Sequence, residues 1–464
     1  MFEKLFKLKE HGTNVRTEML AGLTTFVTMA YIMFVNPLIL SATGMDQGAV
    51  FVATVLAAAI ATFIMAFVAN VPYAQAPGMG LNAFFTYTVC MGMGIPWAQA
   101  LAVVFICGII NILITVTKVR KMIIFAIPKS LQYAISGGIG LFIAYIGVIG
   151  GHLLKFTPDS EADAIGKFSK VIPELVDFTS PDSVLTVIGL VIIVVLMLLK
   201  VKGAILIGVL ATTVIGIPMG ITQLPELTAA SFLPPSLSPT FFKLDIAGLF
   251  ADPSQLFKIL TLILAFSLSD TFDTIGTFLG TGRKTGIFDE EDENALKNSK
   301  GFSSRLDKAL FADATATSIG ALLGTSNTTT YVESAAGIAV GGKTGLTAAT
   351  TGILFILSLF ISPIALMVPG AATAPALIIV GILMAESLGK INWEDFPEAL
   401  AAFFTVAVMP FAYSIATGVA AGFIFYCIAK IVKGKAKEVH PIMYIVTGIF
   451  LLKYVLDAVN ILYK

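Results

Sequence analysis

Long apolar blocks separated by short polar links run the length of this chain. A block of about 20 apolar residues suits a membrane-crossing helix. The pattern predicts such spans at roughly 17–42, 48–70, 97–117, 130–150, 181–200, 202–218, 255–280, 307–323, 345–368, 371–389, 394–410, 411–433 and 439–461. Two further segments, 72–94 and 325–343, are apolar only in part and do not form clean helical patterns. Within the run that starts near Leu256, the stretch FSLSDTFDTIGTFLG places Asp270 and Asp273 three residues apart. On a helix they share one side.

Composition sharpens the picture. The 464 residues are 57% hydrophobic and 12% charged, whereas about a quarter of a soluble protein is charged. The expected class is therefore an all-α polytopic membrane protein. A large soluble core would need charged outer faces, which these runs lack. A cleavable leader is not expected, because residues 1–10 are charged and the first run is long enough to span. Cys90, Cys107 and Cys427 lie in apolar segments and suggest neither a disulfide frame nor a metal cluster. His11, His152 and His440 sit at segment edges or in tails, which argues against histidine chemistry. Net charge is zero, so nucleic acid is not an expected partner.

Charge placement orients the chain. Basic clusters precede the first span (Lys4, Lys7, Lys9, Arg16) and join later ones: Lys118, Arg120, Lys121 and Lys129; Lys200 and Lys202; Arg283, Lys284, Lys297, Lys300, Arg305 and Lys308; Lys433, Lys435 and Lys437. If each odd segment crosses once, all of these fall on one side, expected to be the cytoplasm. The acidic loop Gly151–Asp182 and the Pro-rich stretch Pro218–Pro253 fall opposite. Segment 439–461 upsets an even count and either crosses or lies along the interface.

The odd segments share a design. In Pro72–Pro96 two prolines and then Gly78 and Gly80 deny helix early, so a short helix is expected from near Leu81 to Gly92–Pro96. In Gly324–Gly345 the β-branched Thr328, Thr329 and Thr330 favour an extended path. A short helix should follow from about Val332 to Val340, closed by Gly341 and Gly342. Non-helical backbone at membrane depth must be buried in protein or line a cavity. A matched pair of interrupted segments, here about 240–250 residues apart, marks a transporter's binding site. Asn82 and Glu333 lie near the two half-helix starts.

Asp270, Asp273 and Glu333 are the acidic residues expected at membrane depth. Ionised carboxylates there cost a few kcal/mol each and are usually functional. The plainer reading, a helix cap or a bond to a neighbouring span, fits Asp273 best. Two such groups near one cavity can share a proton. Thr274 and Thr277 share a face with Asp270. Thr24, Thr25 and Thr28 suit helix packing. Asp313 is expected at a helix start near the cytoplasm, and Glu18 and Glu386 at span ends in the interface. Phe84 and Phe85 could stack on a planar ring, although packing is the plainer role. The string GIAVGGKT echoes a P-loop and is set aside: a P-loop follows a soluble strand and opens a helix, whereas this match ends a membrane half-helix.

Four stretches, TTFVTMAYIMFVNP, QAPGMGLNAFFTYTV, FSLSDTFDTIGTFLGTG and GTSNTTTYVESAAGIAVGGKTGLTA, resemble the AzgA-like adenine, guanine and hypoxanthine permeases, relatives of the nucleobase–cation symporter 2 group. The resemblance implies a seven-plus-seven inverted repeat of fourteen segments and two short extended strands before the half-helices. It implies a core domain (17–117 and 255–368) and a gate domain (130–218 and 371–433), flanked by a cytoplasmic segment 1–16 and a C-terminal segment 434–464. It implies proton-coupled purine uptake at the plasma membrane by an elevator-like alternating-access mechanism, no cofactor, and a homodimer formed through the gate domain. The coupling ion would be H+, with Na+ left open. The family's essential asparagine matches Asn82, with Gly80 near it; its eighth-segment aspartates match Asp270 and Asp273; its tenth-segment glutamate matches Glu333.

The substrate-binding set expected on these grounds is Gly80, Asn82, Phe84, Asp270, Glu333 and Ser334, with Asp270, Asp273 and Glu333 able to carry the coupling proton. The partners are a purine nucleobase and membrane lipid. Two other readings stand beside this one. An anion carrier of the same architecture would rest on helix starts or a basic residue. An intramembrane aspartyl protease would want aspartates on separate helices and a Gly-x-Gly-Asp motif, which this chain lacks.

Overall fold

The structure, a computed structural model, describes residues 2–117, 126–158, 171–225, 228, 232–285, 287–288 and 304–462. Lys118, Arg120, Lys121, Lys297, Lys300 and residues 159–170 of the acidic loop lie outside them.

The described chain is mostly helical. Eight of its helical stretches are long and apolar enough to cross a membrane: Val15–Ser41, Gln47–Ala69, Trp97–Val116, Lys129–Gly150, Pro181–Leu198, Gly345–Leu366, Gly370–Lys390 and Ile415–Val432. Leu256–Thr285 and Arg305–Leu323 are as long but carry more polar residues. Ala204–Gly216 and Phe396–Phe411 are shorter and apolar. Short polar side chains set several starts by accepting a first-turn N–H, as Asn14 Oδ1 does from Thr17 at 3.0 Å and Asp46 Oδ1 from Ala49 at 2.7 Å. The first run, read above as one span, is broken at Ala30–Tyr31 into Val15–Met29 and Ile32–Ser41. Pro37 cannot donate to Met33, and the chain tightens at the break to bonds from Met33 to Ala30 and from Phe34 to Tyr31.

The helices pack in two sets. Val15–Met29, Gln47–Ile64, Trp97–Val116, Arg305–Leu323, Ser334–Val340 and Gly345–Ser358 pack on one another. Lys129–Gly150, Pro181–Leu198, Ala204–Gly216, Gly370–Ala385, Phe396–Phe411 and Ile415–Val432 form the other set. Glycines let helices approach within the second set: a Cβ on Gly381 would lie 2.4 Å from the Gly140 carbonyl. Leu256–Thr285 touches helices of both sets.

Among the described residues, four strands complete the fold: β1 (Gln75–Pro77), β2 (Leu154–Pro158), β3 (Val171–Leu175) and β4 (Thr328–Thr330). The β2–β3 hairpin lies in the loop Gly151–Asp182, where the sequence pattern gave no strand. β1 and β4 come from the two odd segments and pair antiparallel, Gln75 opposite Thr330 and Pro77 opposite Thr328. After β1 the chain forms the helix Met79–Ala83 and continues with wider π winding over Phe84–Gly92. After β4 comes the helix Ser334–Val340, closed by Gly341 at φ +113°. At about 1.5 Å per residue neither spans a bilayer core of about 30 Å. The C-terminal helix Pro441–Leu462 packs against Ile415–Val432 and Leu256–Thr285, burying Met443, Val446 and Phe450.

Candidate functional site

The paired strands are anchored by a carboxylate that the sequence pattern misplaced. Asp313 does not start a helix. Its helix begins at Arg305, so Asp313 lies two turns in and is 1% exposed. Asp313 Oδ1 accepts from the Thr330 N–H (2.9 Å), from Thr330 Oγ1 (2.8 Å) and from Gln75 Nε2 (3.2 Å). Its Oδ2 accepts from Thr274 Oγ1 at 2.7 Å. Both oxygens of this buried carboxylate are thus used as acceptors. The side chain thereby joins both strands to the helix that carries Asp270 and Asp273.

Beside this anchor lies a cleft of about 60 Å³, room for roughly four waters, or on the order of 120 Å³ of liquid. That is the scale of one small bicyclic molecule. Its lining comes from the first helix (Tyr31), the turn after β1 (Gly78, Gly80), the long helix (Ser269, Asp273, Thr277) and the turn after β4 (Tyr331, Glu333). Ile139, Val380 and Met384 of the second helix set close it. Tyr31 donates to Glu333 Oε1 at 2.5 Å. Among the described residues, no lysine, arginine or histidine lines the cleft.

Of the residues singled out in the sequence, Gly80, Asp273 and Glu333 line this cleft; Asn82, Phe84, Asp270 and Ser334 do not. Asn82 is fully buried and donates to Asn36 Oδ1 at 2.9 Å. Phe84 packs on Phe266, ring centres 4.6 Å apart. Asp270 Oδ2 accepts from Asn111 Nδ2 (2.9 Å) and Thr317 Oγ1 (3.2 Å), which ties its helix to two neighbours. Ser334 Oγ accepts the Ala74 N–H at 3.0 Å and steadies the entry to β1. Thr24 and Thr28 bond back to carbonyls of their own helix. Tyr31 and Ser269 escaped the sequence reading. The clue for Tyr31 was a polar residue five positions ahead of Asn36 and six ahead of Pro37, where a helix break was to be expected.

Glu18 also departs from expectation. It is not interfacial but fully buried. Its carboxylate accepts the backbone N–H groups of Lys343, Thr344 and Thr347 and the hydroxyls of Thr344 and Thr347, at 2.6–3.2 Å. This corrects the reason for setting aside GIAVGGKT. The string does open a helix, Gly345–Ser358, but the anion position at that N-terminus is filled by the protein's own carboxylate.

Comparison with known proteins agrees with this architecture. A family model described as "Permease family" matches residues 16–421. The chain is 46% identical to the putative permease MJ0326 of Methanocaldococcus jannaschii, over 98% of each chain. It is 41% identical to the adenine permease AdeP of Escherichia coli K12, covering 99% of this chain and 97% of AdeP. It is 43% identical to the guanine/hypoxanthine permease PbuG of Bacillus subtilis, covering 97% of this chain and 98% of PbuG. Among solved structures, the transmembrane domain of the cyanobacterial bicarbonate transporter BicA superposes with a TM-score of 0.60 at 16% identity, covering 88% of this chain and 97% of that one. That likeness is one of fold. By sequence over nearly its whole length, this chain belongs to the permease family.

Proposed function

We propose that this protein takes up purine nucleobases (hypoxanthine, guanine and adenine) across the cell membrane together with protons. The names of its relatives, adenine permease and guanine/hypoxanthine permease, suggest the substrate class. The observation that carries the site is the cleft with two carboxylates, Asp273 and Glu333, and, among the described residues, no cationic side chain. Ionised carboxylates only accept hydrogen bonds, so the pair suits the N–H groups of a purine and opposes an anion. The bicarbonate transporter lends its fold to the comparison and nothing about substrate.

The proton belongs to the same groups. Carboxylates sharing a cavity titrate as a unit, and one protonated acid beside one ionised acid offers both a donor and an acceptor. Asp270, one turn before Asp273, is the third candidate carrier. Na+ is the alternative coupling ion.

We read the two helix sets as core and gate. With Leu256–Thr285 counted to the core, the cleft takes its polar lining from the core and Ile139, Val380 and Met384 from the gate, as a core that slides on a gate requires. The antiparallel pairing of β1 with β4 suits a seven-plus-seven inverted repeat of fourteen segments with its site at the repeat interface. A cytoplasmic N-terminus and a homodimer through the gate complete the reading.

Uptake of labelled hypoxanthine, in cells lacking their own purine permeases, tests it. Expression should raise uptake, a protonophore should abolish the gain, and Asp273→Asn or Glu333→Gln should each lower it about tenfold or more, as loss of a charged hydrogen bond does. Normal uptake by both variants would remove the site. Inhibition by bicarbonate with none by purines would replace the substrate class.

A further inference from the structure

Ser269 lines the cleft, is 0% exposed, and its hydroxyl has no hydrogen-bond partner among the described residues. A buried helical hydroxyl ordinarily bonds back to the carbonyl four residues earlier. Thr54, Thr212 and Thr405 all do so in this chain. An unmet buried hydroxyl is costly, and one that faces a cavity suits a ligand.

Several other hydroxyls around the cleft have committed their hydrogens. Tyr31 gives its hydrogen to Glu333 and Tyr331 to the Pro77 carbonyl. Thr330 donates to Asp313. Thr274 also donates to Asp313, so in its 2.9 Å contact with Thr329 the donor must be Thr329. Thr277 has interactions of its own. Among the described residues, Ser269 is thus a cleft-lining hydroxyl whose hydrogen no partner takes. Asp273 lies one turn further along the same face, Cβ atoms about 5–6 Å apart, and its carboxylate can accept.

We infer that Ser269 is a specificity residue: with Asp273 it reads the O=C–N–H edge of an oxopurine such as hypoxanthine or guanine. Ser269 donates to the carbonyl oxygen and Asp273 accepts from the adjacent ring N–H. A carbonyl oxygen projects beyond the ring and so reaches a short serine. Adenine's acceptor on that edge is a recessed ring nitrogen, and its projecting group is an amine. This rests on purine uptake being the function and adds to it an order of preference, oxopurines before adenine.

Equilibrium binding of hypoxanthine, guanine and adenine to the purified full chain decides it. Wild type should bind the two oxopurines about tenfold more tightly than adenine, the value of one well-made hydrogen bond. Ser269→Ala should weaken both oxopurines by a similar factor and leave adenine within twofold. Ser269→Thr, which keeps the hydroxyl, should hold the wild-type order. Equal binding of adenine by wild type would overturn the inference, as would a Ser269→Ala protein that binds oxopurines normally or weakens all three bases alike. Failure of wild type to bind any purine would instead remove the functional reading beneath it.

Discussion

Thr274 Oγ1 donates to Asp313 Oδ2 across 2.7 Å, and the bond joins a residue adjacent to Asp273 to a carboxylate that also grips Thr330, three residues before Glu333. One buried side chain therefore sets the spacing of the two acids that line the cleft. Asp313 itself does not line the cleft, so the anchor can be disturbed without removing a lining side chain.

Replacing Asp313 by asparagine turns one acceptor into a donor among hydroxyl and amide donors. We expect the variant to insert into the membrane but to lose about 1–3 kcal/mol of stability, the cost of leaving a buried group unpaired, together with purine affinity. Thermal unfolding and hypoxanthine binding in detergent measure the two effects. Wild-type affinity in Asp313→Asn would show that the anchor does not position the site.

Glu18 gathers five donors from the segment Lys343–Thr347, and removing it takes that shared acceptor from the N–H groups of Lys343, Thr344 and Thr347 at the start of Gly345–Ser358. Glu18→Ala should lower stability by roughly 1.5–3 kcal/mol, and Glu18→Gln, which keeps one acceptor oxygen, by less. Thermal unfolding of the two variants in the same detergent gives the order. Equal midpoints for alanine and wild type would mean that the cap contributes nothing.

Gly80 packs closely against Ile139 of the second helix set beside the cleft. A Cβ there would lie 2.4 Å from Ile139 Cγ2. Gly80→Ala should therefore slow uptake through overpacking worth about 1–3 kcal/mol. Gly80→Ala combined with Ile139→Ala removes the clashing methyl and should recover part of the rate. A double variant no faster than Gly80→Ala alone would place the defect elsewhere.

Much of this was legible in the sequence, because hydrophobic runs report helices whatever their partners. The run 97–117 became Trp97–Val116, and the threonine run Thr328–Thr330 became β4. Both odd segments gave an extended piece followed by a short helix. What the pattern could not supply was depth and partnership. Asp313 stands near the start of its apolar run, so it read as a cap, whereas the helix begins earlier and carries it into the interior. Glu18 read as interfacial because the segment it caps lies more than 300 residues away. Asp270 and Asp273 are equivalent by spacing; the neighbours Asn111 and Thr317 occupy the first, and the second lines the cleft.

A structure of the protein with hypoxanthine bound tests the central claim most directly. The account predicts the base in the cleft, with Asp273, Glu333 and Ser269 all within hydrogen-bonding distance of its edges. A base bound away from these three side chains, for example against Asn82 and Asp270, would contradict it.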